Sequence, residues 1–125
     1  RVSIFMNVFN CHVNRVPCSG MIDKIFYQPG KYINASLDKA SEENERNYIK
    51  IKKDNGEEIV LVQIAGLIAR RIVCEIKENE KKAQGEKFGI IRFGSRVDLF
   101  FEGYNILVKK NQKTIGGETL IAKKV

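Results

Sequence analysis

Apolar and polar positions along this chain alternate in short runs, and almost nowhere do apolar residues recur at helical spacing. In Tyr48-Ile49-Lys50-Ile51-Lys52 the two isoleucines fall on one face and the two lysines on the other, the pattern of a half-buried strand. Residues 2–9, 12–17, 21–27, 57–66, 70–77, 88–93, 96–101, 105–109 and 118–123 read as further strands. Asp54-Asn55-Gly56 predicts a hairpin between residues 48–52 and 57–66, because Asn-Gly tolerates the positive φ angles of a tight primed turn. Gln28-Pro29-Gly30 opens a turn-rich stretch. Residues 37–47 are polar and irregular, with room for one helical turn, and residues 78–86 form a charged loop. Short strands punctuated by turns predict a mostly-β sandwich or small barrel.

At 125 residues the chain is expected to form one domain, 1–125. An apolar fraction of 43% and a charged fraction of 30% are ordinary for a globular protein, and no apolar run reaches the length of a membrane-spanning helix. The chain opens on Arg1-Val2-Ser3-Ile4-Phe5-Met6, as if inside a strand, and we expect an N-terminal region with a membrane anchor upstream of it. Three cysteines without an export signal point to reduced thiols. A net charge of +7 admits nucleic acid or an anionic membrane surface as partner. Much of that excess is lysine near the C-terminus, and a genome-wide lysine bias accounts for it equally well. Aromatic residues do not cluster beside the basic ones, so no nucleic-acid partner is expected.

Two stretches hold the candidate chemistry. The first is Gly94-Ser95, between apolar runs on either side. It reads as a bulge or turn between strands, or as a site of intramolecular acyl transfer. Glycine leaves its carbonyl unshielded, so the Ser95 hydroxyl can attack it and convert the peptide bond into an ester. A strained backbone and a neighbouring base are needed, because a serine hydroxyl is a weak nucleophile at neutral pH. The second stretch holds His12, the chain's one histidine, beside Asn14 and Arg15 and ahead of Pro17-Cys18-Ser19-Gly20. A lone histidine is commonly structural; here it is also the natural proton shuttle near pH 7. Cys11, His12 and Cys18 match no four-ligand zinc spacing, and no metal site is expected.

The run 106–122 resembles the half-motif of biotinyl/lipoyl-type barrel-sandwich folds, which implies a barrel-sandwich-hybrid-like small β domain. Leu37-Asp38-Lys39-Ala40 mimics a lipoyl-lysine turn, although Lys39 adjoins a polar stretch rather than a hairpin tip. Four ordered blocks carry a wider resemblance. They are residues 6–17 (MNVFNCHVNRVP); Asn34-Ala35 with Asp38-Lys39-Ala40-Ser41 and Asn44-Glu45-Arg46-Asn47; Val62-Gln63-Ile64-Ala65-Gly66 with Ala69-Arg70-Arg71-Ile72; and residues 88–98 (FGIIRFGSRVD). Together they resemble the phosphatidylserine decarboxylase family in its short bacterial and archaeal form, with archaetidylserine as the substrate in a source that makes ether lipids.

The resemblance implies self-cleavage at Gly94-Ser95, giving a β chain 1–94 and an α chain 95–125 whose first residue, Ser95, becomes a pyruvoyl group. That group forms a Schiff base with the substrate amine and accepts the electrons released with CO₂, yielding phosphatidylethanolamine. His12 matches the family histidine that moves protons during decarboxylation. Longer members carry a second histidine three residues on, where this chain has Arg15, so the base for Ser95 stays open between His12 and groups upstream of Arg1. Arg15, permanently charged, and Asn14 are expected to bind the substrate's carboxylate or phosphate. Arg70, Arg71, Arg92 and Arg96 either contact phosphate or face solvent. The expected setting is peripheral, on the cytoplasmic face of an anionic membrane, as a homo-oligomer. The alternative is a non-catalytic biotinyl/lipoyl-like binding domain.

Overall fold

A computed structural model describes residues 1–6, 13–37, 39–66, 72–91, 95–114 and 121–124. Among these residues the architecture is mostly β. In chain order the strands are β1 (Val2–Met6), β2 (Val13–Arg15), β3 (Gly20–Gln28), β4 (Arg46–Lys52), β5 (Glu58–Ile64) and β6 (Ile72–Cys74). They continue as β7 (Lys81–Lys82), β8 (Lys87–Ile91), β9 (Ser95–Phe100), β10 (Tyr104–Ile106) and β11 (Ala122–Lys124), and one short helix, α1 (Ala40–Glu43), precedes β4. A six-stranded sheet runs in the order β1-β9-β5-β4-β3-β7, a three-stranded sheet in the order β2-β8-β6, and β10 pairs with β11. All these strand pairs are antiparallel.

Opposed residues in an antiparallel ladder share a face, so the registers assemble rows across the large sheet. Ile22, Ile51 and Ile59 form one row, and Ile49, Leu61, Leu99 and Val2 the next. These rows pack with Val16, Cys18, Ile76 and Phe88 into the main core, which places the three-stranded sheet over this face. The third row changes character: Asn47, Gln63, Val97 and Ile4 lie across from one another. On the opposite face α1 seats Ala40 against Val62 and Ile64, with Ile33, Tyr48 and Val60 around them.

The hairpin predicted at Asp54-Asn55-Gly56 joins β4 to β5, with a different turn. Gly56 takes φ 85°, whereas Asn55 stays out of the left-handed region. Gly56 N–H donates to the Lys53 carbonyl at 2.9 Å, and Lys53 N–H to the Glu57 carbonyl at 2.8 Å. This is a three-residue connection in which a glycine bulge supplies the one left-handed residue. The charged 78–86 stretch also holds more order than predicted, since Lys81 and Lys82 of β7 pair with Met21 and Gly20.

Candidate active site

The third row puts amides where a core would ordinarily continue with aliphatic side chains. Gln63 is fully buried, and Asn47 and Asn14 nearly so. A buried amide is costly unless its donors and acceptor are engaged. Asn47 Nδ2 donates to Gln63 Oε1 at 3.1 Å, and Gln63 Nε2 donates to Asn14 Oδ1 at 2.9 Å. The relay therefore runs from β4 through β5 and across to β2 in the facing sheet. Gln63 Nε2 also lies 3.4 Å from the Val73 carbonyl of β6. Gly89 makes this approach possible: a Cβ there would stand 2.2 Å from the Val73 carbonyl oxygen and 2.6 Å from Gln63 Nε2.

Ser95 opens β9 next to this row. Its partner on β1 is Met6, and two positions on, Val97 stands opposite Gln63. Residues i and i+2 of a strand share a face, so Ser95 occupies the core face one step beyond the Asn47–Gln63 pair. The residue is 1% exposed. The strand bearing it is held on both edges, by β1 and by β5.

The other face of β9 carries a second buried polar group. Arg96 and Asp98, two positions apart, are 1% and 0% exposed. Arg96 Nε lies 3.0 Å from Asp98 Oδ1, a charge contact whose angle is outside that of a hydrogen bond, while Arg96 Nη2 donates to Asp98 Oδ2 at 3.2 Å. Arg96 Nη1 reaches the loop before α1 and donates to the carbonyls of Ala35 at 2.9 Å and Leu37 at 3.2 Å. The guanidinium carbon sits 5.7 Å from the centre of the Phe5 ring, and Arg1 Nη1 approaches Asp98 Oδ2 at 3.9 Å.

Ser95 and Asn14 thus both adjoin the Gln63 row, Asn14 through its hydrogen bond to Gln63 and Ser95 two positions along β9 from Val97, the residue opposite Gln63. Arg15 is exposed, and its Nη1 donates to the Gly85 carbonyl at 2.8 Å, on the rim of the three-stranded sheet. His12 and Gly94 lie outside the described residues, as do Cys11, Arg70, Arg71 and Arg92. Arg96 neither faces solvent nor is open to a phosphate: the buried carboxylate of Asp98 neutralises it. Lys39 caps the start of α1 with helical φ and ψ, so it does not occupy a hairpin tip of the lipoyl-lysine kind. Gln63, Asn47 and the Arg96–Asp98 pair were not singled out from the sequence. Their signals were an amide inside the apolar run 59–65 and opposite charges two apart in a strand.

The sequence profile of phosphatidylserine decarboxylase matches residues 1–122, which include this polar row, Ser95 and the Arg96–Asp98 pair. The chain belongs to the phosphatidylserine decarboxylase family. Among its relatives, the phosphatidylserine decarboxylase proenzyme of Pelagibacter ubique is 67% identical over 99% of this chain and 58% of that protein. The proenzyme of Rickettsia typhi is 58% identical over 98% of this chain and 53% of its own length. That of Nitrobacter winogradskyi is 57% identical over 98% and 50%. The chain therefore spans about half the length of the phosphatidylserine decarboxylase proenzymes it matches. No solved structure matches it.

Proposed function

We propose that this chain is the catalytic part of a pyruvoyl-dependent phosphatidylserine decarboxylase that cleaves itself between Gly94 and Ser95. The observation that carries the reading is the setting of Ser95, buried at the head of a strand with neighbours on both edges. Both neighbours, β1 and β5, fall on the 1–94 side of the cleavage point. An α chain 95–125 would therefore keep its first strand docked after the covalent link is lost. Strong identity to proteins named as proenzymes supports the same reading.

The pyruvoyl group fits this site, because its precursor must be a serine whose backbone is fixed before and after scission. Ser95 Oγ attacks the Gly94 carbonyl and the peptide bond becomes an ester. Loss of the Ser95 Cα proton expels the Gly94 carboxylate and leaves dehydroalanine, which water converts to pyruvoyl with release of ammonia. When present, the group supplies the electron sink that lets the substrate lose CO₂. The remaining work falls to side chains. His12 holds and returns the proton during decarboxylation, while Asn14 and Arg15 orient the serine head group and its phosphate. The buried setting of Ser95 limits water at the site to what hydrolysis of the dehydroalanine consumes. The basic surface suits a peripheral enzyme on the cytoplasmic face of an anionic bilayer that presents phosphatidylserine. We read the six-stranded sheet facing the three-stranded one as a barrel-sandwich-like body. Lys39 at a helix start speaks against the cofactor-tethering form of the non-catalytic alternative.

The test is intact mass of the complete protein together with CO₂ release from phosphatidylserine vesicles. Two chains are expected, the smaller beginning at position 95 without a free amine, and Ser95→Ala should stay one chain and release no CO₂. An active preparation of a single uncleaved chain with no carbonyl reactivity would refute the reading.

A further inference from the structure

We propose that Arg96 is the positioning residue for self-cleavage: it fixes residue 95 while the Gly94–Ser95 bond is rearranged and after it is gone. The inference rests on the cleavage reading above and adds a role that reading does not contain. Once the peptide bond is lost, residue 95 is held by the ladders of β9 and by whatever anchors the next residue. Arg96 is that next residue. Its side chain spans both products of the cut: Asp98 belongs to 95–125, and the carbonyls of Ala35 and Leu37 belong to 1–94. The anchor survives scission because none of its partners depends on the broken bond.

A purely stabilising role accounts poorly for this pair. Burying two charges costs about as much as their attraction returns, and apolar pairs of similar volume usually serve as well. What an aliphatic pair cannot do is reach two carbonyls in a loop that lies apart from β9 in sequence. The fixed guanidinium fork does so with directional bonds. Ser95 and Arg96 are adjacent, so a shift of the Arg96 backbone moves the Ser95 Cα and Oγ directly.

Two products report on that alignment. The ester between Ser95 Oγ and the Gly94 acyl group can eliminate, as above, to give a pyruvoyl end. It can also be hydrolysed, with water adding to the Gly94 carbonyl to release the Gly94 carboxylate and a free Ser95 amine. The pyruvoyl end is lighter by the oxidation-neutral loss of one ammonia, so mass spectrometry separates the two. Elimination needs the Cα–H and the Cβ–O bonds aligned, and loose placement of residue 95 favours hydrolysis.

The experiment follows cleavage of the freshly translated complete protein as wild type, Arg96→Met/Asp98→Leu and Arg96→Lys. The double variant removes both charges together, leaves neither buried alone, and keeps the volume filled. It is expected to melt cooperatively, somewhat below the wild-type temperature because the Ala35 carbonyl loses its donor, yet to cleave slower by about tenfold to a hundredfold when fully folded and to end more of its α chains in serine. Arg96→Lys, which keeps the charge and replaces the fixed planar fork by a rotatable ammonium, is expected to fall between. A folded double variant that cleaves at the wild-type rate with the wild-type share of pyruvoyl overturns the inference and leaves the decarboxylase reading intact. If the double variant does not fold, wild-type cleavage and pyruvoyl yield in Arg96→Lys overturns it instead. A wild-type protein that never cleaves at Gly94-Ser95 overturns both.

Discussion

Gln63 on β5 donates from its side-chain amide to Asn14 on β2 at 2.9 Å, and this bond joins the six-stranded sheet to the three-stranded sheet across the core. The donor is itself oriented, since Asn47 fills the Gln63 acceptor from the other side. The direction of the relay turns the Asn14 oxygen toward Gln63 and its amide nitrogen away from it. One buried row thereby sets the spacing of the two sheets and the orientation of a side chain in the strand that follows His12.

Replacing Gln63 by leucine keeps the volume and strands both neighbours of the relay. Asn14 Oδ1 loses a donor and Asn47 Nδ2 loses an acceptor, in a place that water does not reach. Each orphaned group costs about 1–3 kcal/mol. Urea unfolding of Gln63→Leu should show a lower midpoint at an unchanged slope. The triple change Gln63→Leu with Asn14→Leu and Asn47→Leu should recover part of the loss. A single variant as stable as wild type would mean that the relay does not govern sheet spacing.

Gly89 lies at the centre of β8, paired with Asn14 on one side and Cys74 on the other. Its φ is not the constraint; the absent side chain is. A methyl group there meets backbone oxygen of Val73, which cannot swing aside as a flexible side chain would. Gly89→Ala should therefore destabilise by about 1–3 kcal/mol through forced movement of the strands. Combined with Gln63→Leu it should be less than additive, because the displaced sheet has already broken the Gln63 bond. Additive losses in a double-mutant cycle would separate the two effects and contradict this account.

The β-rich architecture was legible because alternation survives wherever one strand face is polar, as in Tyr48-Ile49-Lys50-Ile51-Lys52. It failed where both faces are buried. In β9, Ser95, Val97 and Leu99 face the main core while Arg96 and Asp98 face the loop before α1, and all five are buried. Charge then no longer signals exposure, and from sequence Arg96 reads as a phosphate contact or a solvent-facing cation, not as a buried one. The lysines of β7 illustrate the converse: a charged loop gains strand pairing because a neighbouring edge, Gly20 and Met21, is available in space. Ser95 was legible by its chemistry, as a serine after a glycine. Gln63 was visible only as an interruption of an apolar run, with nothing in the sequence to indicate Asn14 as its partner.

Cys18 gives the fold a pH dependence with a definite sign. Burial pushes its thiol pKa up, with a smaller downward pull from Lys53 and an upward push from Glu57. The folded protein then holds the thiol proton more tightly than the unfolded chain. The associated stability is complete below the ordinary thiol range and is lost as pH rises through the raised folded value. Urea midpoints measured between about pH 7.5 and pH 9.5 should fall with pH, and Cys18→Ala should flatten that slope. An unchanged slope in Cys18→Ala would assign the pH dependence to other groups.

His12 and Arg15 stand close in sequence, and the proposed chemistry gives them kinetic signatures that differ. Arg15 is exposed, and the Gly85 carbonyl it contacts can be hydrated in its place, so Arg15→Ala should change stability by no more than about 0.5 kcal/mol. If its charge holds the head group equally in the ground and transition states, KM rises and kcat does not move. His12→Ala removes a proton carrier, so cleaved protein should lose kcat by about a hundredfold to ten-thousandfold with KM little changed. Comparing CO₂ release by material of equal pyruvoyl content keeps cleavage out of the comparison. A KM effect in His12→Ala with kcat preserved would move His12 from proton transfer to binding. An unchanged KM in Arg15→Ala would leave the Gly85 contact as its whole role.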